Sequence, residues 1–189
     1  MNEHEMDSLR RVVLAPFIQL ATPLINRPRM AGGNMFRHQM DTLGILIDYG
    51  YFDHVLLKAS VIHDLLEDIP EFDTAEVTAL DDGQQVLALV REVTRRPPET
   101  KEQFIGRIRR NGSRQARVLK VADRISNMVS LGLVNDLSFV KRYILETALY
   151  VFPMAEEVDA NMAKELRDLI ASRMDLLAQR IVNPGSRVG

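Results

Sequence analysis

Cysteine and tryptophan are both missing from the 189 residues, and aromatics make up only 6% of them. Without thiols there can be no disulfide framework and no thiolate metal site, which suits a reducing cytoplasm. Sparse aromatics argue against a nucleic-acid surface, where bases stack on rings set along a basic groove. No apolar run approaches the roughly 20 residues that span a bilayer, so no membrane partner is expected. The opening MNEHEMDSLRR places acids ahead of any apolar stretch, unlike a secretory leader. Repeats are absent, and the one low-complexity stretch, NPGSRVG at the end, reads as frayed. No segment alternates polar and apolar residues long enough to build a sheet.

What is present is helical periodicity over a 46% hydrophobic chain, enough for one domain with a real core across residues 1–189. Helices are expected over Asp7 to Leu20, Phe36 to Tyr49, Asp53 to Asp68, Thr74 to Leu80, Gly83 to Thr94, Glu99 to Arg110, Ser113 to Leu131, Leu137 to Phe152 and Met154 to Ile181. Punctuation supports these limits. Gly50 closes one helix and Asp53 caps the next; Pro70 follows its end, Asp73, Ser113 and Asp136 are further N-caps, and Pro97-Pro98 forces a break. The reading is an all-α domain.

One segment does not fit a plain core helix. KASVIHDLLEDIP, residues 58–70, is apolar almost throughout, yet His63, Asp64, Glu67 and Asp68 sit in its middle. On a continuous helix His63 stacks on Glu67 and Asp64 on Asp68, in two adjacent rows. A charged stripe facing water is the ordinary explanation. The flanking Val61, Ile62, Leu65, Leu66 and Ile69 argue instead for burial, and buried carboxylates need a compensating cation. Imidazole with carboxylate oxygen suits Mn, Fe, Zn or Ni. Two further segments point the same way: GGNMFRHQMDTLG supplies His38, and RVLKVADRISNM supplies Asp123 and, one turn later, Asn127.

The order His, then His-Asp-x-x-Glu-Asp, then Ala-Asp-Arg-x-x-Asn-Met resembles the HD-domain phosphohydrolases. It is most similar to the hydrolase domain of RelA/SpoT-type enzymes and the small alarmone hydrolases. The resemblance covers about residues 27–131, with C-terminal helices over about 137–181. It implies that His38, His63, Asp64 and Asp123 ligate one divalent ion per chain, typically Mn²⁺. It implies catalytic roles in water activation and proton handling for Glu67 and Asp68. Arg29 and Asn127 match substrate-contacting positions, and Lys120 and Arg124, which flank Asp123, join them. The implied activity is hydrolysis of (p)ppGpp to GDP or GTP and pyrophosphate, by a stand-alone hydrolase that could form homo-oligomers. Where the family has Gly-x-Pro-Tyr before the first histidine, this chain has Gly32-Gly33-Asn34-Met35. The usual following proline is Gln39, and a basic position beside Arg29 is Met30. These departures keep a second substrate in play: an adenine alarmone, NADPH or a nucleoside monophosphate. A nucleotide sensor without catalysis is a third reading, disfavoured because all six motif positions are filled.

Charge is uneven. From Arg91 to Arg124 there are eleven basic residues against four acids, about +7, which leaves about −9 elsewhere in a chain of net charge −2. Such asymmetry can steer a polyphosphorylated nucleotide. Arg95, Arg96, Lys101, Arg107, Arg109, Arg110, Arg114 and Arg117 are candidates, most of them expected on solvated faces. His54 is expected to point away from the cluster, His4 to be dispensable, and Met128, Met154 and Met162 to be core filler.

Overall fold

The computed structural model describes residues 3–183, the side chains of His4 and Ser8 excepted. All but Asn183 of the tail expected to fray lies outside that range. Helices run in the order α1 (Glu3–Arg10), α2 (Ala15–Leu20), α3 (Met35–Asp48), α4 (His54–Ile62), α5 (Leu65–Asp68), α6 (Thr74–Thr78), α7 (Gly83–Val93), α8 (Lys101–Asn111), α9 (Arg114–Ser130), α10 (Leu137–Glu146), α11 (Phe152–Val158) and α12 (Ala160–Val182). Among the described residues there is no strand, only an isolated bridge between Pro28 and Asn34. The chain is all-α, as its periodicity requires.

Local chemistry sets the ends of these helices. The side chains of Asp53, Asp73, Ser113 and Asp136 each accept a backbone N–H of the first turn that they precede. A cap of this kind stabilises by about 1 kcal/mol. Gly50, at φ 75°, ends α3 in the left-handed region, with its N–H on the Ile47 carbonyl and that of Tyr51 on Leu46. A side chain there would be strained.

The core forms around α9, which packs against α3, α7, α11 and α12. Val118, Leu119, Val121, Ala122, Ile125 and Met128 of α9 are buried, and a fully buried side chain of this size contributes about 1.5–3 kcal/mol. Met154 and Met162 are buried in the same core.

Three expected helices are divided. Residues 7–20 split into α1 and α2, with Pro16 in the first turn of α2, where its missing N–H costs no helical bond. The stretch from Leu137 onward passes through a π-helical turn at Thr147–Val151 just before Pro153, which cannot donate back to the preceding turn. The last helix restarts at Asp159, whose carboxylate caps α12 through the Asn161 and Met162 N–H groups. The third division lies inside the motif. In an unbroken helix the Asp64 N–H would bond the Ser60 carbonyl. That carbonyl instead accepts the His63 Nδ1–H at 2.7 Å, while the Asp64 N–H faces Gln39 Oε1 at 3.5 Å. The regular helix therefore pauses between Ile62 and Leu65, although His63 and Asp64 keep right-handed helical dihedrals and the Asp68 N–H bonds the Asp64 carbonyl at 3.0 Å, so Asp68 stays one turn beyond Asp64.

Candidate metal centre

Three elements meet at one point. The carboxamide of Asn34 caps α3 by accepting the Arg37 N–H, which fixes the turn that carries His38. The break between α4 and α5 presents His63 and Asp64, and the middle of α9 presents Asp123. One ligand atom from each of these four residues lies within 4.8 Å of all the others. His38 Nε2 is 3.0 Å from Asp123 Oδ1 and 3.5 Å from Asp64 Oδ2; His63 Nε2 is 3.2 Å from Asp64 Oδ2 and 3.8 Å from Asp123 Oδ1. His38, His63 and Asp123 are 1%, 2% and 4% exposed, so these charges face one another rather than water.

The outer bonds orient the inner atoms. His63 donates through Nδ1 to Ser60, and His38 sets Nδ1 2.9 Å from Ser126 Oγ, so both imidazoles turn Nε2 inward. His63 Nε2 is buried without a hydrogen-bond partner. Facing two carboxylates, that nitrogen needs positive charge beside it, either a proton of its own in the metal-free chain or a cation held between the groups. Two imidazoles and two carboxylates fit a divalent ion in charge and donor type.

The same electrostatics appear as shifted proton affinities. Burial opposes charge on His63, yet Asp64 and Asp123 outweigh it and push the imidazole up to about 10. Burial also works against ionised Asp64 and Asp123. The imidazoles hold Asp64 below the usual carboxylate range, and Lys120 with the imidazoles does the same for Asp123. Lys120 Nζ donates to Asp123 Oδ2 at 2.6 Å, Asn127 Nδ2 to Asp123 Oδ1 at 2.6 Å, and Gln39 Nε2 to Asp64 Oδ2 at 3.0 Å. Gln39 is fully buried. It stands where the sequence departs from the family pattern, and it supports Asp64 directly.

A cavity of about 250 Å³ opens beside the cluster, lined by His38, Asp64, Asp123, Glu67, Asp68, Arg95, Lys101, Phe104, Lys120, Arg124, Asn127 and Tyr143, among others. Burial pushes the Glu67 carboxyl up, against the pull of the Arg95 amide and Lys120. Asp68 rises to about 6 through burial and the repulsion of Asp64 and Glu67, and its Oδ2 is buried without a partner. Arg124 is buried, with its guanidinium 4.2 Å from the Tyr143 ring centre and Nη1 on Thr147 Oγ1 at 3.1 Å. Arg29 is not in this cavity. It lines an adjoining one, also about 250 Å³, with Pro28, Met30, Met35, Phe139 and Tyr143, and donates to Asn127 Oδ1 at 2.9 Å and Ser130 Oγ at 3.1 Å.

Of the basic residues between 91 and 117, Arg95 and Lys101 reach the cavity wall. Arg109 pairs with Glu157, Arg114 reaches the Val158 carbonyl, and Arg107 is engaged inside the fold. His54 lies away from the cluster, with Nδ1 3.0 Å from Asp82. His4 belongs to α1, its side chain outside the described residues. Sequence reasoning missed Ser60, Ser126, Gln39 and Tyr143 as supports. Only Gln39 gave a signal, a carboxamide inside an apolar stripe next to a histidine.

No protein-family model matches the sequence, nor does any curated protein. Among solved structures, the fold is similar to that of a metazoan ortholog of SpoT that hydrolyses ppGpp and plays a role in starvation responses. The TM-score is 0.71 at 21% identity, over 92% of this chain and 97% of that one. The fold is thus the one that the HD-type sequence pattern implies. Among the described residues, no helix is long and apolar enough to cross a membrane.

Proposed function

We propose that the protein is a metal-dependent pyrophosphohydrolase that removes the 3′-diphosphate of (p)ppGpp, leaving GDP or GTP and pyrophosphate. The observation that carries this reading is the convergence of His38, His63, Asp64 and Asp123 within 4.8 Å beside a cavity that Arg95, Lys101, Lys120 and Arg124 also line, in a fold shared with a ppGpp hydrolase. These four side chains would hold one divalent ion, Mn²⁺ in this reading. When bound, it supplies Lewis-acid polarisation of a phosphoryl oxygen and acidifies water towards pH ~7.

The chain supplies the rest. Hydrolysis breaks the bond between the 3′ oxygen and phosphorus, takes a proton from water and returns one to the departing oxygen. Glu67, its proton affinity raised by burial, is the group placed to hold that proton. Asp68 orients water beside it. Lys120 and Arg124 draw the phosphates in, together with Arg95 and Lys101 on the cavity wall. Asn127 lines both cavities and accepts from Arg29 of the adjoining one, where the nucleoside would lie. The protein acts in the cytoplasm in this reading.

One observation supports a second substrate. Met35 lines both cavities and offers neither a hydroxyl nor a ring to a base. Guanine selection therefore rests on other groups, and an adenine alarmone, NADPH or a nucleoside monophosphate fits the same metal chemistry. Incubation with Mn²⁺ and a nucleotide panel tests both. Pyrophosphate released from (p)ppGpp supports the proposal, while turnover of the other nucleotides alone, giving pyrophosphate from an adenine alarmone or orthophosphate from NADPH or a monophosphate, favours the second. Turnover unaffected by a chelator would refute both.

A further inference from the structure

Glu67 sits on α5, a helix of four residues with Pro70 close behind, too short to fix a carboxylate by itself. The hydrogen bond that fixes it comes from outside: the Arg95 backbone N–H donates to Glu67 Oε1 at 2.7 Å. That N–H belongs to the loop between α7 and α8, where Pro97 and Pro98 have no donor with which to tie the segment down. What holds the loop is Arg107, from α8. Its Nε and Nη2 grip both oxygens of Glu99 at 2.6 and 3.1 Å, Nη1 donates to the Glu92 carbonyl at 2.8 Å, and Nη2 donates to the Thr94 carbonyl at 3.0 Å.

The last contact is the informative one. The Thr94 carbonyl and the Arg95 N–H are two ends of one planar peptide group. A guanidinium on its oxygen fixes the plane and polarises the N–H that faces Glu67, since bonds in a chain strengthen one another. Arg107 and Glu99 are 16% and 18% exposed at the side chain, sheltered from screening. The Arg107 hydrogen bonds hold Glu99 at about 2, so the pair stays ionised across the working pH range.

We propose that Arg107 is a positioning residue for hydrolysis, acting through the Thr94–Arg95 peptide to hold the Glu67 carboxylate in the cavity. The proposal rests on the metal-dependent hydrolase reading of the site. A carboxylate freed from this peptide spends less time in proton-transfer geometry, and small misplacements of a catalytic group are expensive in rate. Sequence reasoning named Arg107 only as one of eight candidate cations, most of them expected on solvated faces; its four acceptors set it apart from those.

The test uses the full chain loaded with Mn²⁺. Arg107→Lys keeps the charge but not the fork. It is expected to lower kcat about tenfold, about 1.4 kcal/mol, with KM and metal content unchanged, and to have no further effect in a Glu67→Gln background. Equal losses in both backgrounds indicate a merely structural role and overturn the proposal. Should the Arg107 variant fail to fold, Arg95→Pro replaces it, compared with Arg95→Ala. Thr94 is already at ψ 133°, the extended conformation that a residue before proline takes, so the proline chiefly deletes the N–H. Arg95→Pro is expected to fall about tenfold below Arg95→Ala, and equal activities overturn the proposal. If the wild-type chain turns over no nucleotide, the hydrolase reading fails by itself. The positioning contact is then read by urea unfolding of Arg95→Pro, Glu67→Ala and the double variant, where coupled losses support the contact and additive losses overturn it.

Discussion

Metal binding at this centre should expel a proton, and the size of the effect follows from His63. In the metal-free chain Asp64 and Asp123 raise that imidazole from 6.5 to about 10 despite its burial. Below pH 10 the site therefore carries a proton on His63, and a metal ligand must be neutral at Nε2. Each metal bound should release about one proton, and apparent affinity should rise about tenfold per pH unit. Between pH 6.5 and 8.0 that is about 30-fold, or about 2 kcal/mol. For a chain of this size 1 kcal/mol moves Tm by about 2–4 °C, so the Tm gap between metal-loaded and metal-free protein should widen by about 4–8 °C over that interval.

The metal-free chain should move the other way. A histidine raised by folding stabilises fully below its unfolded value of about 6.5, and that contribution is lost as pH rises through 10. Calorimetric titration with Mn²⁺ in buffers of different ionisation enthalpy counts the protons directly. A count near zero, with a Tm gap that stays flat from pH 6.5 to 8.0, would refute the assignment of His63 Nε2 as a ligand facing two carboxylates.

Three further outcomes are expected. Gln39→Leu removes the donor to Asp64 Oδ2 and should weaken metal binding about tenfold, read by competition with a metal buffer. Glu67→Gln should lower turnover about 100-fold or more while leaving metal content at the wild-type level, measured by elemental analysis beside pyrophosphate release. Asp68→Asn should stabilise the metal-free chain at pH 7.5. Folding raises Asp68 to about 6, so its ionisation opposes folding, and the penalty is absent below pH 4 and complete above 6. Solvent screening at this half-buried position cuts the effect to about 1 kcal/mol, about 2–4 °C in Tm, and the advantage should vanish in scans below pH 4.

The sequence made the residue types and the fold class readable because both depend on short-range pattern. Apolar periodicity marked the helices, and Asp53, Asp73, Ser113 and Asp136 marked starts whose capping bonds reach no more than three residues. Where Pro16 divides the first expected helix, the signal was equally local and was underweighted, as was Asp159, which caps a restart inside the last one; the boundary at Pro153 was read from its proline. The division at His63–Asp64 is different in kind. It depends on His63 taking the Ser60 carbonyl and on Gln39, 25 positions upstream, facing the Asp64 N–H. No spacing rule contains that partner. A continuous helix was therefore the natural expectation, and the structure instead carries two of the four ligands at a pause in it.

The same distinction separates the basic residues. Spacing along α8 treats Arg107 and Arg109 alike, as two cations two residues apart. Arg109 meets Glu157 on a surface where ion pairs are worth about 0–1 kcal/mol. Arg107 meets two backbone carbonyls and a carboxylate in a half-enclosed loop. What decides the difference is not the arginine but its acceptors. Carbonyl groups around two adjacent prolines lack a repeating ladder of their own and so are left for a side chain to satisfy. A proline pair upstream of a helix with arginine in its second turn is therefore a legible pattern, provided one asks where the loop's unpaired carbonyls go. In this chain that question leads from Pro97-Pro98 through Arg107 to the carboxylate at the cavity.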